Sequence, residues 1–196
     1  MNEIRTIVAD PPWGEYGGGG GSWGEGAKGA QRHYPLMSTP KIILLMKDIF
    51  ENQYDIADDS HLYLWVTVNF LEDGLKVIKS LGYRYIRPLI WIKGQLKSSN
   101  LGPILLLDMF GLGQYFRGSM EMCLFAVRGK LQTKTNNCRD IFFEHRRKHS
   151  QKPELFYKIV ELQSYPDYLE IFSREQRKGW DNWGNQAEEQ QKRMLF

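Results

Sequence analysis

The chain has 196 residues, 42% hydrophobic and 25% charged, with a net charge of +3 at pH 7. This composition is typical of a soluble globular protein and excludes a polybasic tail. No apolar run approaches 18 residues, which argues against a membrane span, and the start MNEIRTIVADPPW has no signal-peptide pattern. We therefore expect a cytoplasmic protein. Cys123 and Cys138 lack metal-binding spacing, so free thiols and no metal site are predicted.

Apolar runs and helical spacing alternate along the chain. In chain order they predict strand 6–9, helix 40–50, strand 61–66, helix 69–81, strand 83–92, strand 121–127, helix 153–163 and strand 169–172. Ser38 is the expected N-cap of the first helix, and Gly82 is expected to end the second. A glycine-rich loop at 14–32 and a second loop at 95–118 separate these elements. The alternation predicts an α/β fold, with a mostly parallel sheet covered by helices on both faces.

The tetrapeptide Asp10-Pro11-Pro12-Trp13 follows directly after the first predicted strand. Each proline fixes φ and removes a backbone donor, so the carbonyls here are expected to act as acceptors without a donor beside them. Asp10 adds a carboxylate acceptor and Trp13 adds a flat π-face. This combination suits a planar base that carries an exocyclic amine. The alternative is a rigid turn with Trp13 in the core.

A second group of candidate residues lies near the C-terminus. Glu170 ends a predicted strand, as Asp10 does, and ligands of open α/β sheets bind at such strand ends. If the two strands are neighbours, both carboxylates converge on one crevice. Lys152 precedes a predicted helix, where a cation opposes the helix dipole unless an anion binds. The segment 180–186 offers amides for a purine edge, or else forms a tryptophan-rich lid on the core.

Motifs spread over nearly the whole chain are shared with one family. They are DPPW (10–13), HYPLMS (33–38), LYLWVT (62–67), GY…WIKG (82–94), GQYFRGSMEMCLFAVRG (113–129), HSQKPE (149–154), LEIFSR (169–174) and GWDNWGN (179–185). In these motifs the chain resembles the MTA-type N(6)-adenine methyltransferases. The resemblance implies a Rossmann-like methyltransferase fold with permuted motif order in a single domain, 1–196. It also implies that S-adenosylmethionine is the cofactor and that the adenine 6-amino group of DNA or RNA is methylated.

The resemblance also assigns roles to individual residues. The catalytic residues are Asp10, Pro11, Pro12 and Trp13. The cofactor residues are Asp10, Ser150, Lys152, Glu170, Arg174, Asn185 and Gln186, with Gln176 standing in for the family's ribose-binding His/Asn pair. The predicted substrate residues come from the DPPW turn, the two loops and the basic stretch rather than from the resemblance; they are Trp13, His33, Tyr34, Arg117, Arg146, Arg147 and Lys148. The loops 14–32 and 95–118 are expected to close over the substrate.

The substrate is expected to be DNA, with RNA as the closest alternative. The stretch 128–152 is rich in Lys and Arg, which favours an edge that follows phosphates, although a solvated basic face would look the same. A non-catalytic partner subunit is a second alternative, disfavoured by the intact DPPW motif. A small-molecule amine methyltransferase is a third. A homodimer and a heterodimer with a paralogue both stay open.

Overall fold

A computed structural model describes residues 3–14, 36–108, 115–116, 118–147 and 151–184. The strands are β1 (Ile4–Ala9), β2 (Ile56–Val66), β3 (Arg84–Ser99), β4 (Gly102–Leu107), β5 (Met120–Arg128), β6 (Ile141–Glu144), β7 (Tyr168–Ile171) and β8 (Trp180–Trp183). The helices are α1 (Thr39–Asp48), α2 (Leu71–Ser80) and α3 (Glu154–Gln163), with a π-helical turn at Ile49–Gln53 and a 3-10 turn at Val68–Phe70. None of these helices is long and apolar enough to span a bilayer.

The strands form one sheet in the order β4-β3-β5-β2-β1-β7-β8, with β6 paired to β3. β1 is parallel to β2 and to β7, β7 is parallel to β8, and β3 is parallel to β6. β5 runs antiparallel to both β2 and β3, and β4 runs antiparallel to β3. The α/β class is therefore confirmed, but the sheet is mixed rather than mostly parallel. An apolar strand such as β5 buries its side chains whether it runs parallel or antiparallel to its neighbours. The composition of the strand therefore does not indicate its direction.

Successive residues of β1 point to opposite faces of the sheet and so join different hydrophobic clusters. Ile7 packs in one cluster with Ile42 of α1 and Val77 of α2. Val8 packs in the other cluster with Val160 of α3. The helices α1 and α2 thus lie against one face and α3 lies against the other. Central strands buried in this way present only their ends to a ligand.

The prediction of a loop at 95–118 is wrong for its first half. β3 continues to Ser99 and turns into β4, whose side chains from Ile104 to Leu107 are 41% to 48% exposed. Gly102 in this hairpin has φ 106°, and the Ser99 hydroxyl donates to its carbonyl at 2.6 Å. The residues around position 100 form the tight turn of a hairpin, whereas the prediction had placed them in a long loop. The predicted loop at 14–32 lies outside the described residues, apart from Gly14.

Two short strands were not predicted at all. β6 lies in the basic stretch 128–152, and β8 lies in the tryptophan-rich segment 180–186. Each has four residues, which is too few for a reliable period of two. Gly82 follows the end of α2 as expected. Its φ of 79° is a left-handed conformation that glycine adopts without strain and that ends a helix. Ser38 lies at the N-cap of α1 with an extended backbone, but its side chain makes no capping hydrogen bond.

Candidate active site

The ends of β1 and β7 bring two acidic side chains to the same edge of the sheet. The strands are parallel neighbours in which Val8 is paired with Glu170, and the backbone N–H of Asp10 donates to the Ile171 carbonyl at 3.4 Å. Asp10 and Glu170 line one recess. We expected both carboxylates to converge on one crevice if these two strands are neighbours, and the strands are neighbours.

The backbone after β1 is held by its own hydrogen bonds. The carbonyl of Pro11 accepts from the Trp13 N–H at 2.9 Å, and the carbonyl of Pro12 accepts from the Met37 N–H at 2.8 Å. The expectation that these carbonyls have no donor beside them is therefore corrected. A carbonyl oxygen has two lone pairs, so each keeps one acceptor position. The same bonds make the turn rigid and fix the direction of the remaining lone pair.

The indole of Trp13 is held just as firmly. Its Nε1 donates to the Trp65 carbonyl at 2.9 Å, and its ring is stacked with Phe70 at a centroid distance of 5.6 Å and an angle of 24°. Trp13 also lines the main cavity. One face of the indole is thus covered by the protein, and stacking of a base would use the other face.

Lys152 lies at the centre of an ion-pair network. Its Nζ is 3.1 Å from Asp10 Oδ1 and 2.9 Å from Glu121 Oε2, and its side chain is only 12% exposed. The other carboxylate oxygen of Glu121 lies 2.8 Å from Lys93 Nζ. Arg174 Nη2 approaches Asp10 Oδ2 at 3.9 Å. The anion expected near Lys152 is thus supplied, within the chain, by two carboxylates.

The charges of this network stabilise one another. Burial raises the pKa of Glu121, but the ammonium groups of Lys152 and Lys93 outweigh this effect and lower it to about 2. Burial also lowers the pKa of Lys152, but Asp10 and Glu121 outweigh that and raise it above its ordinary value. At neutral pH Glu121 is therefore ionised and Lys152 protonated. Sequence reasoning missed Glu121 and Lys93, although a charged residue in or beside an apolar strand was a usable signal.

Glu170 has a different environment, in which hydroxyl groups rather than ammonium groups contact its carboxylate. It is 9% exposed, Tyr157 Oη donates to its Oε1 at 2.6 Å, and the Ser173 hydroxyl lies 3.5 Å from its Oε2. Burial raises the pKa of Glu170 to about 7, against the lowering effects of the Tyr157 hydrogen bond and the Arg177 charge. A carboxyl group with this pKa changes its charge near neutral pH.

The Asp10 side chain separates two connected spaces. The main cavity has a volume of about 870 Å³ and is lined by Asp10, Pro11, Trp13 and Glu121 among others. The smaller recess has a volume of about 40 Å³ and contains Glu170, and it shares Asp10, Gln151, Lys152 and Arg174 with the cavity. Ligand groups in these two spaces would meet at the four shared residues.

The rim of the main cavity carries a basic segment after β6. His145, Arg146 and Arg147 all line the cavity. Asp108, at the end of β4, accepts from His145 Nδ1 at 2.6 Å and from the Arg146 N–H at 2.7 Å. Arg147 Nη1 donates to Glu154 Oε1 at 2.6 Å. Two of the three arginines named as substrate residues, Arg146 and Arg147, thus lie where a polyanion could reach the cavity.

The structure does not bring every candidate residue to the site. Several lie outside the described residues: His33, Tyr34, Arg117, Lys148, Ser150, Asn185 and Gln186. Gln176 is exposed, and the recess is lined by its neighbour Arg177 instead. Trp180 of β8 is buried and stacked on Tyr168 at 4.7 Å, so this part of the tryptophan-rich segment packs on the core. Within the described part of the chain, no group of three His, Cys, Asp or Glu side chains could hold a metal ion.

The MT-A70 family model matches residues 4–186 of this chain, which therefore belongs to the MT-A70 family. The chain is 28% identical over 206 residues to the type II methyltransferase M.MunI of a Mycoplasma species, covering 93% of this chain and 77% of that protein. It is 28% identical over 194 residues to the human N(6)-adenosine-methyltransferase catalytic subunit METTL3, covering 96% of this chain and 29% of that protein.

A plant relative has a similar relation to this chain. The N(6)-adenosine-methyltransferase MT-A70-like protein of Arabidopsis thaliana is 25% identical over 190 residues, which is 95% of this chain and 24% of the relative. The chain therefore spans about a quarter of the length of these eukaryotic relatives but most of M.MunI.

Proposed function

We propose that this chain is an S-adenosylmethionine-dependent methyltransferase, folded as a single domain over 1–196, that methylates the 6-amino group of adenine in DNA. The observation that carries this proposal is the position of Asp10. It lies between a cavity large enough for a base and a recess that contains Glu170, and it is held there by Lys152. A permuted Rossmann-like methyltransferase fold is consistent with the strand order, in which β1 and β7 are neighbours.

The chemistry of the groups around the recess supports this cofactor. Glu170 offers carboxylate oxygens to ribose hydroxyl groups, Asp10 offers an acceptor to the methionine amine, and Lys152 and Arg174 offer positive charge to the methionine carboxylate. When bound, S-adenosylmethionine supplies a methyl group on an electrophilic sulfonium, which requires no metal for activation.

Asp10 and the Pro11 carbonyl would act on the adenine amine. Its nitrogen is a poor nucleophile because its lone pair is delocalised into the ring. Asp10 and the open lone pair of the Pro11 carbonyl would accept the two N–H hydrogens and favour tetrahedral geometry at nitrogen. Lys152 keeps Asp10 in place, so the rate gain comes from positioning and from preorganised charge. The uncovered face of Trp13 would stack on the base.

The preference for DNA rests on how the chain compares with its relatives. The chain covers 77% of M.MunI, and the name of that relative, a type II methyltransferase, supports DNA as the substrate. A target base in a duplex must leave the stack to reach Asp10, and Arg146 and Arg147 at the rim would contact the phosphates. The names of the eukaryotic relatives make RNA the second candidate substrate.

Methyl transfer to defined nucleic acids tests the proposal. The purified chain is incubated with methyl-labelled S-adenosylmethionine and duplex DNA, single-stranded DNA or RNA, and the product base is identified by mass spectrometry. We expect N(6)-methyladenine in DNA. Methylation of RNA alone would refute the DNA assignment. Binding of S-adenosylhomocysteine without transfer to any substrate would indicate a partner subunit, and absence of binding would refute the cofactor.

A further inference from the structure

We propose that Arg177 is a positioning residue of the recess: it fixes Tyr157, whose hydroxyl orients the Glu170 carboxylate toward the hydroxyl groups of a bound nucleoside. The inference rests on the proposed function, because it takes the recess as the place where the ribose of the cofactor binds. Arg177 contacts the Tyr157 ring, and the Tyr157 hydroxyl contacts Glu170.

Arg177 joins the segment before β8 to the first turns of α3. Its Nη1 donates to Glu154 Oε2 at 2.8 Å and its Nη2 donates to Glu154 Oε1 at 3.1 Å, which is a bidentate pair. Its Cζ lies 3.6 Å from the centroid of the Tyr157 ring, a close cation–π contact. The side chain is 22% exposed. A planar guanidinium is needed to make both contacts at once, and a lysine cannot replace it.

These contacts of Arg177, called here the clamp, affect Glu170 through Tyr157. With its ring held, Tyr157 donates to Glu170 Oε1 at 2.6 Å, while the Ser173 hydroxyl is 3.5 Å from Oε2. Carboxylate oxygens offer about four lone-pair sites, so an ionised Glu170 keeps acceptor positions for a vicinal diol. A protonated carboxyl group would lose part of that capacity.

The charges around Glu170 make its ionisation sensitive to Arg177. Tyr157 of α3 faces it with a hydroxyl, Asp10 at the end of β1 contributes a negative charge, and Arg177 contributes a positive one. Lys152 and Arg174 also line the recess. Because the pKa of Glu170 is about 7, loss of the Arg177 charge moves it further upward and leaves the group protonated at neutral pH.

Lys178 provides a matched control, since it is an exposed cation next to Arg177 that does not line the recess. S-adenosylhomocysteine affinity is measured without nucleic acid from pH 6 to pH 9 for the wild type, Arg177→Gln, Arg177→Lys and Lys178→Gln. The Glu170 carboxyl carbon is titrated by NMR in the same ligand-free proteins. We expect Arg177→Gln to weaken binding about tenfold at pH 7, with recovery toward pH 9, and to raise the Glu170 midpoint.

Arg177→Lys, which keeps the charge, is expected to leave the Glu170 midpoint close to that of the wild type but still to weaken binding. It serves as the test variant if Arg177→Gln does not fold. Lys178→Gln should change neither quantity. If wild-type affinity is measurable and Arg177→Lys matches it across the pH range, the positioning role is wrong while the proposed function stands. If the wild type binds no S-adenosylhomocysteine, the proposed function fails, and a Glu170 midpoint unchanged in Arg177→Gln overturns the clamp independently.

Discussion

The ion pairs of Glu121 with Lys152 and Lys93 contribute to the free energy of unfolding. Its carboxylate bridges Lys152 and Lys93 at 2.9 Å and 2.8 Å, and its side chain is 27% exposed. The lowering of its pKa from 4.5 to about 2 corresponds to about 3 kcal/mol of stability at neutral pH. The substitution Glu121→Gln preserves the shape of the side chain but removes the charge that both ammonium groups face.

The sign of the pH dependence follows from the direction of this shift. A carboxyl group whose folded-state pKa is depressed contributes stability above its unfolded pKa, and this contribution is lost as the pH falls from about 4.5 through about 2. We therefore expect Glu121→Gln to lower the free energy of unfolding by about 3 kcal/mol at pH 7. The difference from the wild type should shrink progressively below pH 4.5.

Urea denaturation of both proteins between pH 7 and pH 3 measures this difference. The exposed Glu51 supplies a control, because Glu51→Gln should change stability by less than about 0.5 kcal/mol. Equal stability of Glu121→Gln and the wild type at pH 7 would show that the network contributes nothing net. A loss that stays constant down to pH 3 would show that the charge of Glu121 is not its source.

Further predictions concern the reaction, the cofactor and the core. Asp10→Asn should reduce methyl incorporation at least about 100-fold with an unchanged circular dichroism spectrum, and near wild-type turnover would contradict the mechanism. Lys152→Ala should weaken S-adenosylhomocysteine binding at least about tenfold in calorimetry, and unchanged affinity would count against its role. Burial lowers the pKa of His61, so the unfolded chain takes up its proton first, and stability should fall as the pH drops below about 6.5. In His61→Gln the slope of stability between pH 7.5 and pH 5.5 should be smaller, and an equal slope would exclude His61 as its source.

Several elements could be predicted because their signals are local. β1, β2, β5, α1, α2 and α3 each contain a segment whose apolar spacing or capping residues are visible in the sequence. The turn at Asp10 to Trp13 was also visible, because proline restricts the backbone wherever it occurs. The hairpin of β3 and β4 was missed because its turn residues resemble those of a longer loop. The short strands β6 and β8 were missed because four residues carry too little of a periodic pattern.

By itself, the sequence determined the chemical groups of the site and the family that carries them, since both depend on residue types in a fixed order. Only the tertiary structure decided which groups meet. Lys152 bridges Asp10 and Glu121, and Arg177 rather than Gln176 reaches the recess, because strands distant in the chain end at the same edge of a sheet. Such contacts depend on strand order and direction, which hydrogen bonds between remote segments set and which no local pattern of residues records.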